Sequence, residues 1–543
     1  KEAEDWDIER IIRKFADAAE RMQAGGMDGI EIESYGHLFD QFYSPTTNFR
    51  EDEFGGPLEN RLRFSTRVLE AIRERVGPEF ILGLRMSIDE VVPEGLDYNA
   101  GIEILKEFEA TGLIDFVNVI RGLVATDAQL SNVIPIHGMS AAPHLDFAGL
   151  VKETTDLAVL HASKIDDVAT ARYAIQEGKV DLVGMTRAHM ADPHIVLKII
   201  EEREEQIRPC VGATFCLDGI YENGEALCVH NAATGREAIM PHKVFPAEKH
   251  RRIVVIGAGP AGLEAARVAG ERGHDVTVFE AMSKAGGQIA LTVRNKRRQD
   301  FQGVVDWRLA ELERLGVEIL YDQIAEVQDI TVLEPDVVVI ATGGLPQIPT
   351  LEYGTELAVT SWEVLSGEVT PQGNVLLYDD NGTHSALSTA EIIAQSGANL
   401  EIVTPERMLG IDIGGVNHVP YARAFNESDT RITLNQRVVS VSKENEQLLV
   451  ELGSDHSSHR TKRTVDCFVV DHGTLPNADL YFSLKSLSCN QGEVDHAALL
   501  NGQLQPCFEK EQDSFALYRI GDAVANRNIH AAIYDALRLM KDI

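Results

Sequence analysis

At 543 residues the chain is too long for a single hydrophobic core, and its 44% hydrophobic content is ordinary for globular protein, so two to four domains are expected. Its 85 acidic residues against 50 basic ones leave a formal charge of -35, which argues against nucleic acid or an anionic membrane as a partner and serves solubility or the steering of cationic substrates. No stretch approaches the roughly twenty apolar residues of a membrane span, and the amino end is acidic and amphipathic instead of signal-like, so a reducing, cytoplasmic setting follows by default.

The chain opens at Lys1, without Met and inside a helical pattern, which reads as an amino-terminally truncated fragment. WDIERIIRKFADAAERMQAGG has apolar residues at helical spacing and a glycine stop, and it is followed by a strand at 29–34. The same unit recurs. Helix 58–75 leads to a strand at 80–87, helix 99–111 to 116–120, helix 146–155 to 157–162, and helix 167–177 to 180–185. Five near-continuous apolar strands alternating with helices imply a parallel sheet, either part of a (β/α)8 barrel or an open doubly wound one. The polar residues favour the barrel, because they cluster just after the strands, at the face where barrel enzymes build their sites. Glu33, Tyr35 and His37 follow the first strand, Arg85 sits late in the second, Arg121 follows the third, His161 and Lys164 the fourth, and Arg187 the fifth. Lys164 and Arg187 fall where barrels bind phosphate.

Next come Cys210, Cys216 and Cys228, in a C-x5-C-x11-C pattern. An odd trio cannot pair off as disulfides, and soft sulfur ligands favour zinc or an iron–sulfur cluster; the plain alternative is three unrelated buried thiols. A glycine fingerprint follows. Ile253 to Ile256 is a short apolar strand, Gly257, Gly259 and Gly262 form a G-x-G-x-x-G turn, LEAARVAGERG continues as a helix, and the strand DVTVFE ends in Glu280, at the distance of a ribose-binding acid. The glycines let the backbone approach a pyrophosphate, which the helix amino end then holds. Near 374 a second apolar strand, NVLLYD, runs instead into Asp379-Asp380-Asn381-Gly382-Thr383-His384. Two carboxylates there would repel a pyrophosphate, so this region, 366–475, is expected to be a Rossmann shell without NAD(P) binding. Cys467, Cys489 and Cys507 are scattered and are expected to be packing residues.

Several stretches resemble known proteins. Asn48, Arg50, Asp52, Phe54, Gly55, Gly56, Asn60 and Arg61 match the N-x-R-x-D-x-[YFW]-G-G-[SD]-x-x-N-R block of the old yellow enzyme family, and DLVGMTRAHMADP, which contains Gly184, matches its last strand and phosphate loop. The resemblance implies FMN, with Arg85 near the flavin ring and Lys164, Gly184 and Arg187 near its phosphate. Lys164 stands where arginine is more usual. The likeness covers the last five strands of a barrel, without the three amino-terminal βα units of the family.

Barrel, cysteine segment and dinucleotide domain in this order resemble the multidomain branch of that family, that of trimethylamine dehydrogenase, 2,4-dienoyl-CoA reductase and the dimethylglycine or N-methylproline demethylases. RPCVGATFCLDGIYENGEALCVHNAATGRE most resembles the dimethylglycine-demethylase type. Such enzymes hold a four-iron cluster on four cysteines beginning C-x2-C. Here Ala213 takes the second position, which leaves a complete 4Fe-4S cluster, a three-iron or otherwise incomplete one, and none all open. Gly287 and Gln288, VVVIATGG with Gly343, and IGDA with Asp522 match the later contacts of two-dinucleotide flavoproteins, which implies FAD or ADP.

The expected organisation is thus a partial FMN-type barrel (1–205), a cysteine-rich iron–sulfur segment and linker (206–249), an FAD/ADP-binding domain (250–365, returning at 476–543) and an inserted NAD(P)-like domain (366–475). The expected activity is oxidative N-demethylation of a small methylated amine or amino acid, with electrons passing from FMN through iron–sulfur to a protein acceptor. Tyr35 and His37 are candidates to hold the amine neutral, Arg121 to meet a substrate carboxylate, and Asp127, less favoured, an amine. An NAD(P)H-dependent dienoyl-CoA or enoate reductase and an inactive fragment are the alternatives, and homo-oligomer formation is left open.

Overall fold

The computed structural model describes residues 2–505 and 514–543. It divides into two compact units at Ala188/His189. Among the described residues no helix is long and apolar enough to cross a membrane.

The first unit is built on one parallel sheet of β1 (Gly29–Glu33), β2 (Ile81–Asp89), β3 (Phe116–Arg121), β4 (Ala158–His161) and β5 (Leu182–Val183), paired in chain order. Helices join successive strands, which is the (β/α) barrel pattern. Strand parity sorts the side chains. Leu82, Leu84 and Met86 of β2 and Val117 and Val119 of β3 are fully buried in the main core, while Gly83, Arg85 and Asn118 take the opposite face. The amino-terminal helix Asp5–Ala24 buries Ile8, Ile12, Ala16 and Ala19, one stripe at helical spacing, and its start is closed by a reciprocal capping box between Glu4 and Asp7. Helices Tyr98–Thr111 and Val168–Gln176 are capped by Asp97 and Asp167, whose carboxylates accept from Ala100 N (2.9 Å) and Thr170 N (2.8 Å).

The old yellow enzyme-like block is a self-bracing loop. The Asn48 side-chain amide donates to the carbonyls of Phe42 and Phe54, and Arg50 pairs with Asp52 while its guanidinium lies 5.9 Å and 5.6 Å from the rings of Phe42 and Phe54. These residues thus hold a turn together.

The second unit begins a new parallel sheet with β6 (Arg252–Ile256), β7 (Asp275–Phe279), β8 (Glu318–Leu320) and β9 (Val337–Ile340). The chain leaves through β10 (Gly344–Pro346) and enters a second parallel sheet at β11 (Val359–Thr360), β12 (Asn374–Asp379), β13 (Asn399–Val403) and β14 (Arg431–Thr433). An antiparallel trio follows, β15 (Arg437–Glu444), β16 (Gln447–Ser454) and β17 (Ser457–Val465). Then β18 (Cys467–Asp471) completes the second sheet, β19 (Thr474–Pro476) pairs with β10, and β20 (Ala516–Arg519) returns to the first. The orders are β20-β9-β6-β7-β8 and β11-β18-β12-β13-β14, two nucleotide-type sheets with the second inserted into the first.

A buried charge cluster ties the first of these sheets to the cysteine segment. Glu264, on the helix Pro260–Glu271 that follows the glycine turn, is 1% exposed and is gripped by Arg267 (2.7 Å) and by Arg308 (2.8 Å), the latter from helix Gln302–Leu315. Arg308, itself 0% exposed, also donates to Val304 O (2.9 Å) and His230 O (3.2 Å). Burial alone would raise the Glu264 carboxyl, but the two guanidiniums hold it well below the usual carboxylate range. Removing one partner of such a cluster leaves uncompensated buried charge. Glu264→Gln is therefore expected to destabilise the second unit by about 3–5 kcal/mol in calorimetric or denaturant unfolding at neutral pH. A carboxyl depressed in the folded state contributes above its unfolded value of about 4.3 and loses that contribution as pH falls, so the gap between variant and parent should shrink on acidification below about pH 4.

Candidate functional site

The open face of the first sheet carries the polar side chains. In register, Glu33 of β1 faces Arg85 of β2, and Arg85 faces Asn118 of β3. Arg85 Nη2 lies 2.6 Å from Glu31 Oε1 and its Nη1 4.0 Å from Glu33 Oε1, while Asn118 Nδ2 donates to Glu31 Oε2 (2.9 Å). Two buried atoms of this network lack partners, the donor Arg85 Nε and the acceptor Asn118 Oδ1. A neighbouring unused donor and acceptor fit the alternating carbonyl and N–H edge of a flavin ring.

Tyr35 is buried beside Arg85, to which its hydroxyl is hydrogen-bonded. Burial raises its phenol, against a smaller opposing pull from Arg85, so it is neutral at pH 7. His37 is two-thirds exposed, with Nε2 3.7 Å from Glu33 Oε2. The sheet therefore brings Tyr35, Arg85, Glu31 and Glu33 together and leaves His37 on the rim. Arg121 is held elsewhere, by Asp89 (Nε to Oδ2, 3.2 Å) and over the ring of Phe147 (4.9 Å), so the cation expected to meet a substrate carboxylate already faces one from its own chain. Asp127 is exposed in the first turn of helix Asp127–Val133. His161 is buried, with Nδ1 2.8 Å from Val119 O, and burial lowers it to about 4. Sequence reasoning missed Glu31 and Asn118. The available signal was parity, since Glu31 lies two residues before Glu33 and Asn118 interrupts the apolar run of β3.

At the ends of β4 and β5 two cations converge on one loop. Arg187 Nη1 donates to Pro135 O (2.8 Å), and Lys164 Nζ donates to Met139 O. Asp166 is close to both; burial raises its carboxyl while Lys164 and Arg187 pull it down. Lys164 and Ser163 adopt left-handed backbone (φ 54° and 103°), and a Cβ at Gly184 would stand 2.8 Å from that of Ala162. Two cations on backbone carbonyls against one half-buried acid fit a phosphate.

In the second unit the glycine turn is a cradle. Gly257 has φ 102°, and a Cβ there would stand 2.4 Å from Ala341 O, while one at Gly262 would be 1.8 Å from Gly257 O. Gly259 faces Gly287, the Cα of each within 3.8 Å of where the other's Cβ would be. Glu280 accepts from Ala258 N (2.7 Å) and Met282 N (2.8 Å). Gln288 donates to Asp522 (2.8 Å), whose carboxyl burial raises, and Gly343, φ 69°, accepts at its carbonyl from Asn477 N (2.9 Å). This side-chain-free cleft before a helix amino end fits a dinucleotide pyrophosphate.

The turn after β12 is built differently. Asp379, fully buried, accepts from Asn381 N (3.1 Å) and Gly382 N (2.8 Å), and burial with help from Asp471 pushes its carboxyl up to about 7. Asn381 also bonds Asp471 (2.8 Å), and Asp380 pairs with His472.

Cys210, Cys216 and Cys228 are half-buried and in no disulfide; burial pushes the Cys228 thiol up to about 11, with a further upward push from Cys210. Among the described residues no group of three or more His, Cys, Asp or Glu side chains converges as a metal ion requires. Ala213 packs against the core of the first nucleotide sheet. Cys467 and Cys489 pack against cores as expected, and Cys507 lies outside the described residues.

Residues 1–206 match the NADH:flavin oxidoreductase / NADH oxidase family, and residues 251–497 match the pyridine nucleotide-disulphide oxidoreductase family. A probable N-methylproline demethylase of Rhizobium meliloti is 54% identical over 543 residues, which is 100% of this chain and 80% of the relative. An N,N-dimethylglycine/sarcosine dehydrogenase of Chromohalobacter salexigens is 42% identical over 556 residues, again 100% and 80%. The solved structure of histamine dehydrogenase from Rhizobium sp. 4-9 aligns with a TM-score of 0.87 at 24% identity, covering 100% of this chain and 77% of that one, and speaks for the fold alone.

If Lys164 and Arg187 hold a flavin phosphate, Arg187→Gln should weaken FMN retention by about 10–100-fold, the worth of a charge-assisted hydrogen bond. Flavin released from purified full-length variant and parent by dialysis checks this; equal retention would remove the assignment.

Proposed function

The chain belongs to the NADH:flavin oxidoreductase / NADH oxidase family, and we propose that it is an oxidative N-demethylase of a small methylated amine or amino acid. The names of two relatives support the substrate class, one a probable demethylase of N-methylproline and the other a dehydrogenase of dimethylglycine and sarcosine. The direction of electron flow rests on one observation: Asp379 occupies the backbone amides that a nicotinamide dinucleotide's pyrophosphate would need.

FMN, when bound, supplies the two-electron oxidation of an N-methyl C–H bond. Water adds to the iminium carbon of the oxidised substrate, and formaldehyde and the demethylated amine leave, with two electrons and two protons removed overall. The chain's own residues orient and hold protons. Arg85 is fixed by Glu31 and Glu33 and in turn fixes the Tyr35 hydroxyl. Neutral Tyr35 donates or accepts a hydrogen bond at the substrate amine without taking a charge. His37, beside Glu33 at the rim, accepts the ammonium proton as the amine enters, leaving the nitrogen lone pair in place. Arg121 faces Asp89, apart from the Tyr35 and Arg85 group, and takes no part in the step.

Electrons leave toward a protein acceptor. An iron–sulfur stage on Cys210, Cys216 and Cys228 would need a fourth ligand in place of Ala213. Iron and acid-labile sulfide measured on purified full-length protein and on Cys228→Ala decide that stage.

Anaerobic titration of the full-length holoprotein with N-methylproline, dimethylglycine and NADPH, followed by flavin absorbance, tests the whole reading. A methylated amino acid should bleach the flavin and NADPH alone should not; bleaching by NADPH would redirect the assignment to an enoate reductase. Tyr35→Phe should slow flavin reduction by about 10–100-fold at unchanged FMN content.

A further inference from the structure

Between the two nucleotide-type sheets of the second unit, beside the dinucleotide cleft at Gln288, lies a cavity of about 70 Å³, lined on its polar side by Gln288, Thr292, Arg298, His384, Ser385 and Ser388 and closed by apolar side chains. Arg298 is 4% exposed. Its Nη1 donates to the Tyr421 hydroxyl (3.1 Å), its Nε has no acceptor, and among the described residues no carboxylate pairs with it. Arg298 lies over the Phe301 ring (4.6 Å), and the neighbouring Arg297, stacked on Tyr421, differs in being neutralised by Glu391 (3.0 Å). A guanidinium taken out of water without a counter-charge is costly, and the structure offers it a cavity instead.

The other wall of that cavity also favours negative charge. His384, Ser385 and Ser388 belong to the first turns of helix His384–Gln395, whose amino end supplies a positive dipole end and N–H donors. The Ser388 hydroxyl and His384 Nδ1 are tied to Tyr421 (3.0 and 3.2 Å), so Arg298, Tyr421 and this helix end form one hydrogen-bonded arc. No carboxylate lines the cavity. With on the order of 10–15 Å³ of such space per water, it admits about five water-sized atoms, the size of a phosphate or sulfate and far short of a nucleotide.

We propose that this cavity is a binding site for a small oxyanion of phosphate size, held by Arg298 and the amino end of helix His384–Gln395. It retains the anion preference of a nucleotide helix in a domain whose glycine-type turn is closed by Asp379, and it does not depend on the demethylation reading. Isothermal titration of the holoprotein, its flavin-phosphate and dinucleotide sites filled, with inorganic phosphate at fixed ionic strength tests it. One saturable site is expected, weakened about 10–100-fold by Arg298→Gln. Ser388→Ala should weaken it in the same sense and keeps the test valid if the first variant does not fold. Absence of phosphate binding to the parent, or binding unchanged in the folded variants, overturns the proposal. Displacement of phosphate by adenosine 5′-phosphate at lower concentration would assign the anion preference to a nucleotide and overturn it as well.

Discussion

The second unit depends on a carboxylate that has no access to water. Glu264 sits between Arg267 and Arg308, and because Arg308 also holds the His230 carbonyl, one interaction fixes the helix behind the glycine turn, the helix that crosses it, and the end of the cysteine segment. Each partner would be expensive to bury alone, so the three elements are stable only in the arrangement that lets the charges meet. The open cradle at Gly257–Gly262 is positioned by packing behind it, not by anything in the cleft itself.

Where the chain's chemistry rests on backbone geometry, the sequence was legible. A glycine with φ 102°, or one whose Cβ would strike a carbonyl at 1.8 Å, can be recognised because no other residue fits, so Gly257 and Gly262 announce a turn and its ligand class together. The five barrel-type strands were legible for a related reason, since apolar parity fixes which face meets the helices. Lys164 and Arg187 fell just past strand ends, on carbonyls of a single loop, whereas Arg85, expected late in its strand, is the middle residue of β2.

Side-chain partnership was not legible. Arg121 looked like a cation awaiting a substrate, yet Asp89 on the adjacent strand already faces it, and nothing in either residue's local context signals that pairing. Glu31 and Asn118 lie inside strands that read as hydrophobic, and their importance comes from register with Arg85, a long-range property. His37 and Tyr35, two residues apart, were expected to act as a pair. They differ in environment because the chain turns at Gly36, leaving the tyrosine in a small apolar cluster and the histidine in solvent.

The two nucleotide-type sheets share a four-strand core order, β9-β6-β7-β8 and β18-β12-β13-β14, and differ in the turn after its central strand. In the first, Glu280 takes one amide, Ala258 N, and leaves the glycine cradle beyond it open; in the second, Asp379 reaches back and takes the amides of Asn381 and Gly382. An aspartate in that role is a built-in substitute for a ligand's phosphate, and it is always present. Under the proposed demethylation, a domain wired in this way would be insensitive to how much reduced nicotinamide the cell holds, and turnover would follow the supply of substrate and the readiness of the acceptor alone.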